Sequence, residues 1–236
     1  MLWTSPLSLR LRGIARRLGL TRILGGWVQR RGYEDQFGTT LLATVQSGDV
    51  VWDVGANVGL YTDRFLSATG PTGKVIAFEP AAECHAALME RFAGKPSFST
   101  LNIAVGANDG TVVMEMASAA LAATHRVLPN AIARNPQDRT VPLRSAKSIY
   151  AESPDWFPNV VKVDVEGHEG DVFDGFGDLL FDKRLRAIGV EVHFGVLNSR
   201  GEDETPARIE RLLKTAGFVL RWTDPSHFVA VRSVSP

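Results

Sequence analysis

Val50-Val51-Trp52-Asp53-Val54-Gly55-Ala56-Asn57-Val58-Gly59-Leu60-Tyr61-Thr62 reads as a buried strand, a glycine turn and the first turn of a helix. Apolar residues run into Asp53 without the alternation of a half-exposed strand, so the strand is expected to be covered on both faces. Gly55 can take backbone angles closed to other residues and lets a ligand approach the main chain. The helix that follows points free N–H groups at that ligand, which favours a carboxylate or a phosphate.

The spacing bears on which anion it is. A dinucleotide fingerprint is G-x-G-x-x-G, whereas this chain has Gly55, then Asn57 and Leu60 at the second and third glycine positions. An asparagine side chain fills the space a pyrophosphate needs. The pattern G-x-N-x-G suits a smaller carboxylate, such as the methionine end of S-adenosylmethionine. An ordinary strand-to-helix turn is the plainer alternative, and later residues bear on it.

The chain has 236 residues and a formal net charge of zero, which suits one α/β domain and gives no reason to expect a nucleic-acid partner. Cys84 is the single cysteine, so no intramolecular disulfide exists, and a cytoplasmic location is expected. No apolar run is long enough to span a bilayer. Residues 1–47 form a separate expectation, a basic helical segment ahead of a domain at 48–236. Arg10, Arg12, Arg16, Arg17, Arg22, Arg30 and Arg31 precede the first acid, Glu34, and Leu7, Leu11, Ile14 and Leu18 recur at helical spacing. The plainer reading is a helix packed over the domain with a solvated arginine face. The alternative is peripheral contact with an anionic membrane or glycan carrier. A second helix is expected over about 34–46.

Beyond the glycine turn, helix 60–68 stops at Gly70-Pro71, and strand 74–78 ends on Glu79-Pro80. An acid about 20 residues beyond such a turn is where a ribose diol is bound in nucleotide-binding α/β folds. Glu79 also precedes helix 81–92, so favouring that helix dipole is its bland alternative. A third strand is expected over 98–103 and a short extra one over 112–116. An alanine-rich stretch, 117–135, reads as a lid or substrate loop.

Asn159-Val160-Val161-Lys162-Val163-Asp164-Val165-Glu166-Gly167-His168-Glu169 repeats the design: a buried strand, acids at its end, a glycine turn and a helix over 170–181. The next strand, 186–192, runs through Glu191 to His193. Ligands of open α/β sheets sit at the carboxyl ends of the strands, so Asp164, Glu166, Glu191 and His193 are expected on one rim. A structural salt-bridge network is the competing reading. A helix over 206–216 and two strands, 217–222 and 227–231, close the chain. Their hairpin places an antiparallel last strand beside an otherwise parallel sheet with helices on both faces, the Rossmann-like organisation of class I methyltransferases.

These segments together resemble the FkbM-type methyltransferase family. The likeness rests on Val51 to Gly59, Val75-Ile76-Ala77-Phe78-Glu79-Pro80, Lys162-Val163-Asp164-Val165-Glu166-Gly167-His168-Glu169, and the pair Glu191 and His193. It implies methyl transfer from S-adenosylmethionine, typically to a hydroxyl on a sugar or other natural product, the acceptor being a small molecule or glycan. By position it implies that Asp53, Gly55, Asn57 and Gly59 hold the methionine part and that Glu79 takes the ribose. Ala104 and Val105 then border the adenine, and Asp164 and Glu166 face the methyl group and acceptor. The sequence departs from the family at Leu143-Arg144-Ser145-Ala146, where an acid commonly stands.

An aliphatic hydroxyl needs a base within hydrogen-bond reach, and His193 is the expected base, oriented by Asp164 or Glu166. A divalent metal held by Asp164, Glu191 and His193 is the competing arrangement and is not favoured on sequence grounds. A nicotinamide-dependent oxidoreductase or epimerase and a non-catalytic S-adenosylmethionine-binding module are the alternative functions. The missing glycines argue against the first and the intact acidic rim against the second.

Overall fold

The computed structural model describes residues 33–115, 126–128 and 139–233. The arginine-rich segment up to Arg31 and most of the expected lid lie outside the described residues.

Seven strands form the main sheet: β1 (Val50–Val54), β2 (Lys74–Phe78), β3 (Phe98–Leu101), β8 (Val160–Val163), β9 (Ala187–Glu191), β10 (Phe218–Trp222) and β11 (His227–Arg232). Their spatial order is β10-β11-β9-β8-β1-β2-β3. β1, β2, β3, β8 and β9 pair in parallel, and β11 runs antiparallel between β9 and β10. The chain leaves β1 toward β2 and β3 and later returns to β8 on the other side. That reversal opens a crevice at the carboxyl ends of β1 and β8, where α/β sheets bind ligands.

Among the described residues, seven helices flank these strands: α1 (Tyr33–Leu42), α2 (Leu60–Thr69), α3 (Ala82–Arg91), α4 (Ala146–Glu152), α5 (Glu169–Phe176), α6 (Phe194–Ser199) and α7 (Thr205–Thr215). Alternation along β1 splits the core. Trp52 and Val54 join Phe78, Val163, Phe173 and Phe176 on one face. Val51 joins Phe37, Leu41, Phe65, Leu88 and Phe92 on the other. Burial of large apolar side chains on both faces is the dominant favourable term, about 1.5–3 kcal/mol for each fully buried one. The indole N–H of Trp52 donates to the carbonyl of Trp156 at 2.7 Å, so its burial leaves no donor unpaired.

Helix α1 packs on β9 and β11, with the Phe37 ring 4.6 Å from the His227 ring. The boundary expected at residue 47 therefore does not separate this helix from the domain. Strand three is shorter than expected because Asn102 turns its side chain into the fold and donates to the carbonyls of Glu79 and Pro80. The helix expected over 170–181 ends at Phe176, where Gly177 takes φ +46, and a 3₁₀ turn continues to Phe181.

A second sheet, ordered β4-β7-β5-β6, comprises β4 (Ala104–Val105), β5 (Gly110–Glu115), β6 (Arg126–Leu128) and β7 (Arg139–Arg144). Only β5 was foreseen; β6 falls inside the stretch read as a loop. At the end of β7, Ser145 caps α4 by accepting from the Ser148 N–H. Asp109, on the turn before β5, accepts from the Ser145 N–H at 2.8 Å and from the Ser148 hydroxyl. These bonds, the Ser145 N–H first, bring its carboxyl down to about 2. Asp109 thus supplies an acid beside the position where the sequence departs from the family.

Gly189 on β9 faces α1, and a β-carbon there would stand 2.6 Å from Leu41 Cδ2 and 2.9 Å from Phe37 Cζ. Gly189→Ala is expected to cost about 1–3 kcal/mol by overpacking. Urea unfolding measures this, and an unchanged midpoint would contradict the packing of α1 on β9.

Candidate active site

At the carboxyl ends of β1, β2, β8 and β9 lies a cavity of about 690 Å³, within the range of roughly 300–1,000 Å³ usual for small-molecule sites. Gly55, Asn57, Glu79, Ala104, Val105, Asp164, Glu166, Glu191 and His193, all expected from the sequence, line it together. Asp53 and Gly59 do not. Asp53 is wholly buried beneath the floor, and Gly59 sits at the N-terminus of α2, with no space for a β-carbon beside Phe92 and Leu88.

Beneath the floor, Lys162 is 3% exposed, a residue with no role assigned from the sequence. Its Nζ donates to the carbonyl of Gly55 at 3.0 Å and stands 3.4 Å from Asp53 Oδ1 and 3.3 Å from Asp164 Oδ2. Burial alone would lower its pKa, but the charges of Asp164 and Asp53 outweigh that and raise it, so the ammonium stays charged. Thr62 donates to the other Asp53 oxygen at 2.7 Å. Gly55 is at φ +77, and a β-carbon there would lie 1.8 Å from the carbonyl oxygen of Asp164, so β1 and β8 approach only over a glycine.

On the β2 side, Glu79 Oε2 accepts from the Asn57 N–H at 2.7 Å and Oε1 from the Ala81 N–H at 2.8 Å. Asn57 holds this bond at φ +49, a left-handed conformation uncommon outside glycine. Burial raises the carboxyl of Glu79 above its usual range, against the opposing pull of those two N–H groups. The neighbouring Cys84 thiol is pushed by burial to about 11 and stays protonated at neutral pH.

The β8 and β9 side carries the acidic rim. His193 Nδ1 lies 2.7 Å from Glu169 Oε1, and its Nε2 lies 3.3 Å from Glu166 Oε2, 3.8 Å from Asp164 Oδ1 and 4.0 Å from Glu191 Oε1. Glu169 is wholly buried at the start of α5, and the Gly167 N–H also donates to its Oε1 at 3.0 Å. Glu166 sits at φ +50, which turns its side chain toward this rim; such non-glycine strain clusters at functional sites. Burial raises its carboxyl, while the nearby His193 opposes the rise.

Burial alone would depress the pKa of His193, but the hydrogen bond to Glu169 and the charges of Glu169, Glu166 and Asp164 lift it to about 9. At neutral pH the ring is therefore mostly an imidazolium without a lone pair to accept a proton. To act as the base expected from the sequence, the ring must first release its Nε2 proton. Glu191 is held in turn by His227, whose Nε2 lies 3.2 Å from Glu191 Oε2 and whose Nδ1 lies 2.9 Å from Asp224 Oδ1. Against its own desolvation, the His227 bond keeps Glu191 below the usual carboxylate value.

The sequence matches the FkbM methyltransferase domain over residues 53–220. The chain belongs to that family. It is 30% identical over 195 residues to the hexuronic acid methyltransferase AglP of Haloferax volcanii, covering 81% of this chain and 76% of the relative. Among solved structures, a provisionally assigned rRNA methylase from Clostridium thermocellum superposes with a TM-score of 0.53 at 12% identity, covering 88% of this chain and 99% of that one. A methyltransferase FkbM from Methylobacillus flagellatus superposes with a TM-score of 0.52 at 13% identity. There 80% of this chain is covered but only 44% of the other, so the chain spans less than half that protein's length. At such identities these two likenesses establish the class I methyltransferase fold alone.

The protein is an S-adenosylmethionine-dependent methyltransferase, and the cavity fits that cofactor. Glu79, fixed by two backbone N–H groups, keeps lone pairs for a ribose diol. Phe78, Ile103, Val105 and Leu143 give an apolar wall for an aromatic base. The strained turn at Gly55 and Asn57 forms the floor between them and the acidic rim.

Removing the Lys162 charge tests the frame of the site. Lys162→Met leaves Asp53 buried beside Thr62 alone and is expected to cost about 3–5 kcal/mol in urea unfolding. The double variant Asp53→Asn/Lys162→Met is expected to recover part of that loss. Equal stability of the single variant and the parent would show that the buried pair does not hold β1 and β8 together.

Proposed function

We propose that the protein methylates a hydroxyl oxygen of a sugar or sugar acid, with Glu166 taking the hydroxyl proton. The observation that carries this reading is the position of Glu166, a half-buried carboxylate turned into the cavity beside three other ionisable groups. The relationship to a hexuronic acid methyltransferase supports a carbohydrate acceptor. The negative rim itself disfavours a carboxylate as the reacting group and favours a neutral hydroxyl.

When bound, S-adenosylmethionine supplies a methyl carbon on a cationic sulfur, and that carbon–sulfur bond breaks as the acceptor oxygen takes the carbon. The protein's share is alignment, proton removal and charge. Glu79 and the Gly55–Asn57 turn fix the donor end of the cavity, and Asp164 and Glu166 face the acceptor end. A carboxylate whose pKa is raised by burial is a better proton acceptor than a solvated one. The imidazolium of His193 offsets the mutual repulsion of Asp164, Glu166 and Glu191. The Lys162 ammonium holds Asp164 from below, so the acceptor end is set before any ligand arrives.

Incubation with deuteromethyl-labelled cofactor and hexuronic acid glycosides, followed by mass spectrometry, is expected to show one added labelled methyl. As an ether, it survives mild alkali; an alkali-labile methyl ester would place the acceptor atom on a carboxylate instead. Glu166→Gln is expected to lower kcat by about 10²–10⁴-fold while leaving the calorimetric affinity for S-adenosylhomocysteine unchanged. Full turnover in that variant would remove Glu166 from the reaction.

A further inference from the structure

We propose that Asp164 Oδ1, Glu191 Oε1 and His193 Nε2 form a binding site for a divalent cation of the Mn²⁺ and Mg²⁺ class on the acceptor side of the cavity. Each of the three residues offers a ligand atom within 4.8 Å of those of the other two. His193 Nε2 is 3.8 Å from Asp164 Oδ1 and 4.0 Å from Glu191 Oε1. Donors about 2.0–2.2 Å from an octahedral ion lie about 3–4.4 Å apart, so small side-chain rotations close the set.

What separates this trio from an ordinary acidic patch is what stands behind each ligand. Each has its other polar atom engaged by a buried residue behind it, Lys162, His227 or Glu169. Lys162 Nζ stands 3.3 Å from Asp164 Oδ2. His227 Nε2 stands 3.2 Å from Glu191 Oε2, and Asp224 holds His227 from behind. Glu169 Oε1 stands 2.7 Å from His193 Nδ1 and receives the Gly167 N–H. Outer partners of this kind fix the tautomer and orientation of metal ligands, and a carboxylate behind a histidine is the commonest of them.

Glu169 adds an independent reason. It is wholly buried, and its Oε2 has no hydrogen-bond partner. A buried carboxylate needs positive charge beside it, and the ring supplies that charge with either a proton or a cation on Nε2, the cation displacing the proton to solvent. A cation on Nε2 also balances Asp164, Glu166 and Glu191, which crowd together around that atom.

Two carboxylate oxygens and one imidazole are a hard, mixed donor set that leaves further positions open to the cavity, and the imidazole favours Mn²⁺ over Mg²⁺. Resting on the proposed sugar acceptor, those positions suit two adjacent oxygens of a sugar ring. The reacting hydroxyl is then polarised by the ion before its proton passes to Glu166, which lies 3.3 Å from His193 Nε2.

The test is Mn²⁺ binding to the purified full-length protein, followed by electron paramagnetic resonance without cofactor or acceptor. One ion per chain is expected, with nitrogen coupling from a single imidazole in the pulsed spectrum. The isosteric variants Glu191→Gln and Asp164→Asn are expected to weaken binding at least tenfold, and His193→Ala to abolish the nitrogen coupling. A folded protein that binds no Mn²⁺ at millimolar concentration overturns the proposal. So does binding that these variants leave unchanged. Mn²⁺ bound with the nitrogen signature, but no methyl transfer to any sugar, would sink the acceptor reading and leave the metal site standing.

Discussion

The Lys162 ammonium on β8, buried between Asp53 on β1 and Asp164 just past the end of β8, is the contact on which the site depends. It joins the two strands at the point where the sheet order reverses, and it ties down the carbonyl of Gly55 on the turn that forms the cavity floor. A buried ammonium without counter-charges would be prohibitively costly, so Asp53 and Asp164 are required to keep it. The parallel ladder between β1 and β8 sets their spacing and puts Asp53 opposite Lys162. At that close approach only a glycine fits position 55, where any β-carbon would run into the Asp164 carbonyl.

From that frame the chemistry divides between two ends of one cavity. At the β2 end, Glu79 is held by backbone N–H groups and carries no side-chain cation of its own, which leaves it able to accept from neutral hydroxyls. At the β8 and β9 end, Asp164, Glu166, Glu169 and Glu191 surround His193. Lys162 behind Asp164 and His227 behind Glu191 offset part of that negative charge, and the residual field points into the cavity. A methyl donor with a cationic sulfur and an acceptor that must lose a proton both match such a field.

Much of this was legible in the sequence. Apolar strands ending in acids gave away β1, β2, β8 and β9, and the final hairpin gave the antiparallel β11. What escaped notice followed different physics. Strand β7 carries Pro142 and polar residues on a largely exposed face, so no hydrophobic period marks it. Lys162 sits inside an apolar strand, where a lone lysine announces no partner until the strand neighbours are known. Asp224 in the hairpin turn and His227 at the start of β11 reach the rim only because β11 pairs with β9. Asp53 reads as a ligand contact by position but faces the buried lysine. His193 reads as a base by residue type, but the charges that set its proton come from three elements of the fold.

A crystal structure of the complex with S-adenosylhomocysteine tests the central claim most directly, that one cavity at the carboxyl ends of β1, β2, β8 and β9 holds donor and acceptor. The ribose hydroxyls are expected on Glu79, the adenine between Phe78 and Val105, and the sulfur turned toward Asp164 and Glu166. A ligand bound outside this cavity, or one whose sulfur points away from the acidic rim, would contradict the account.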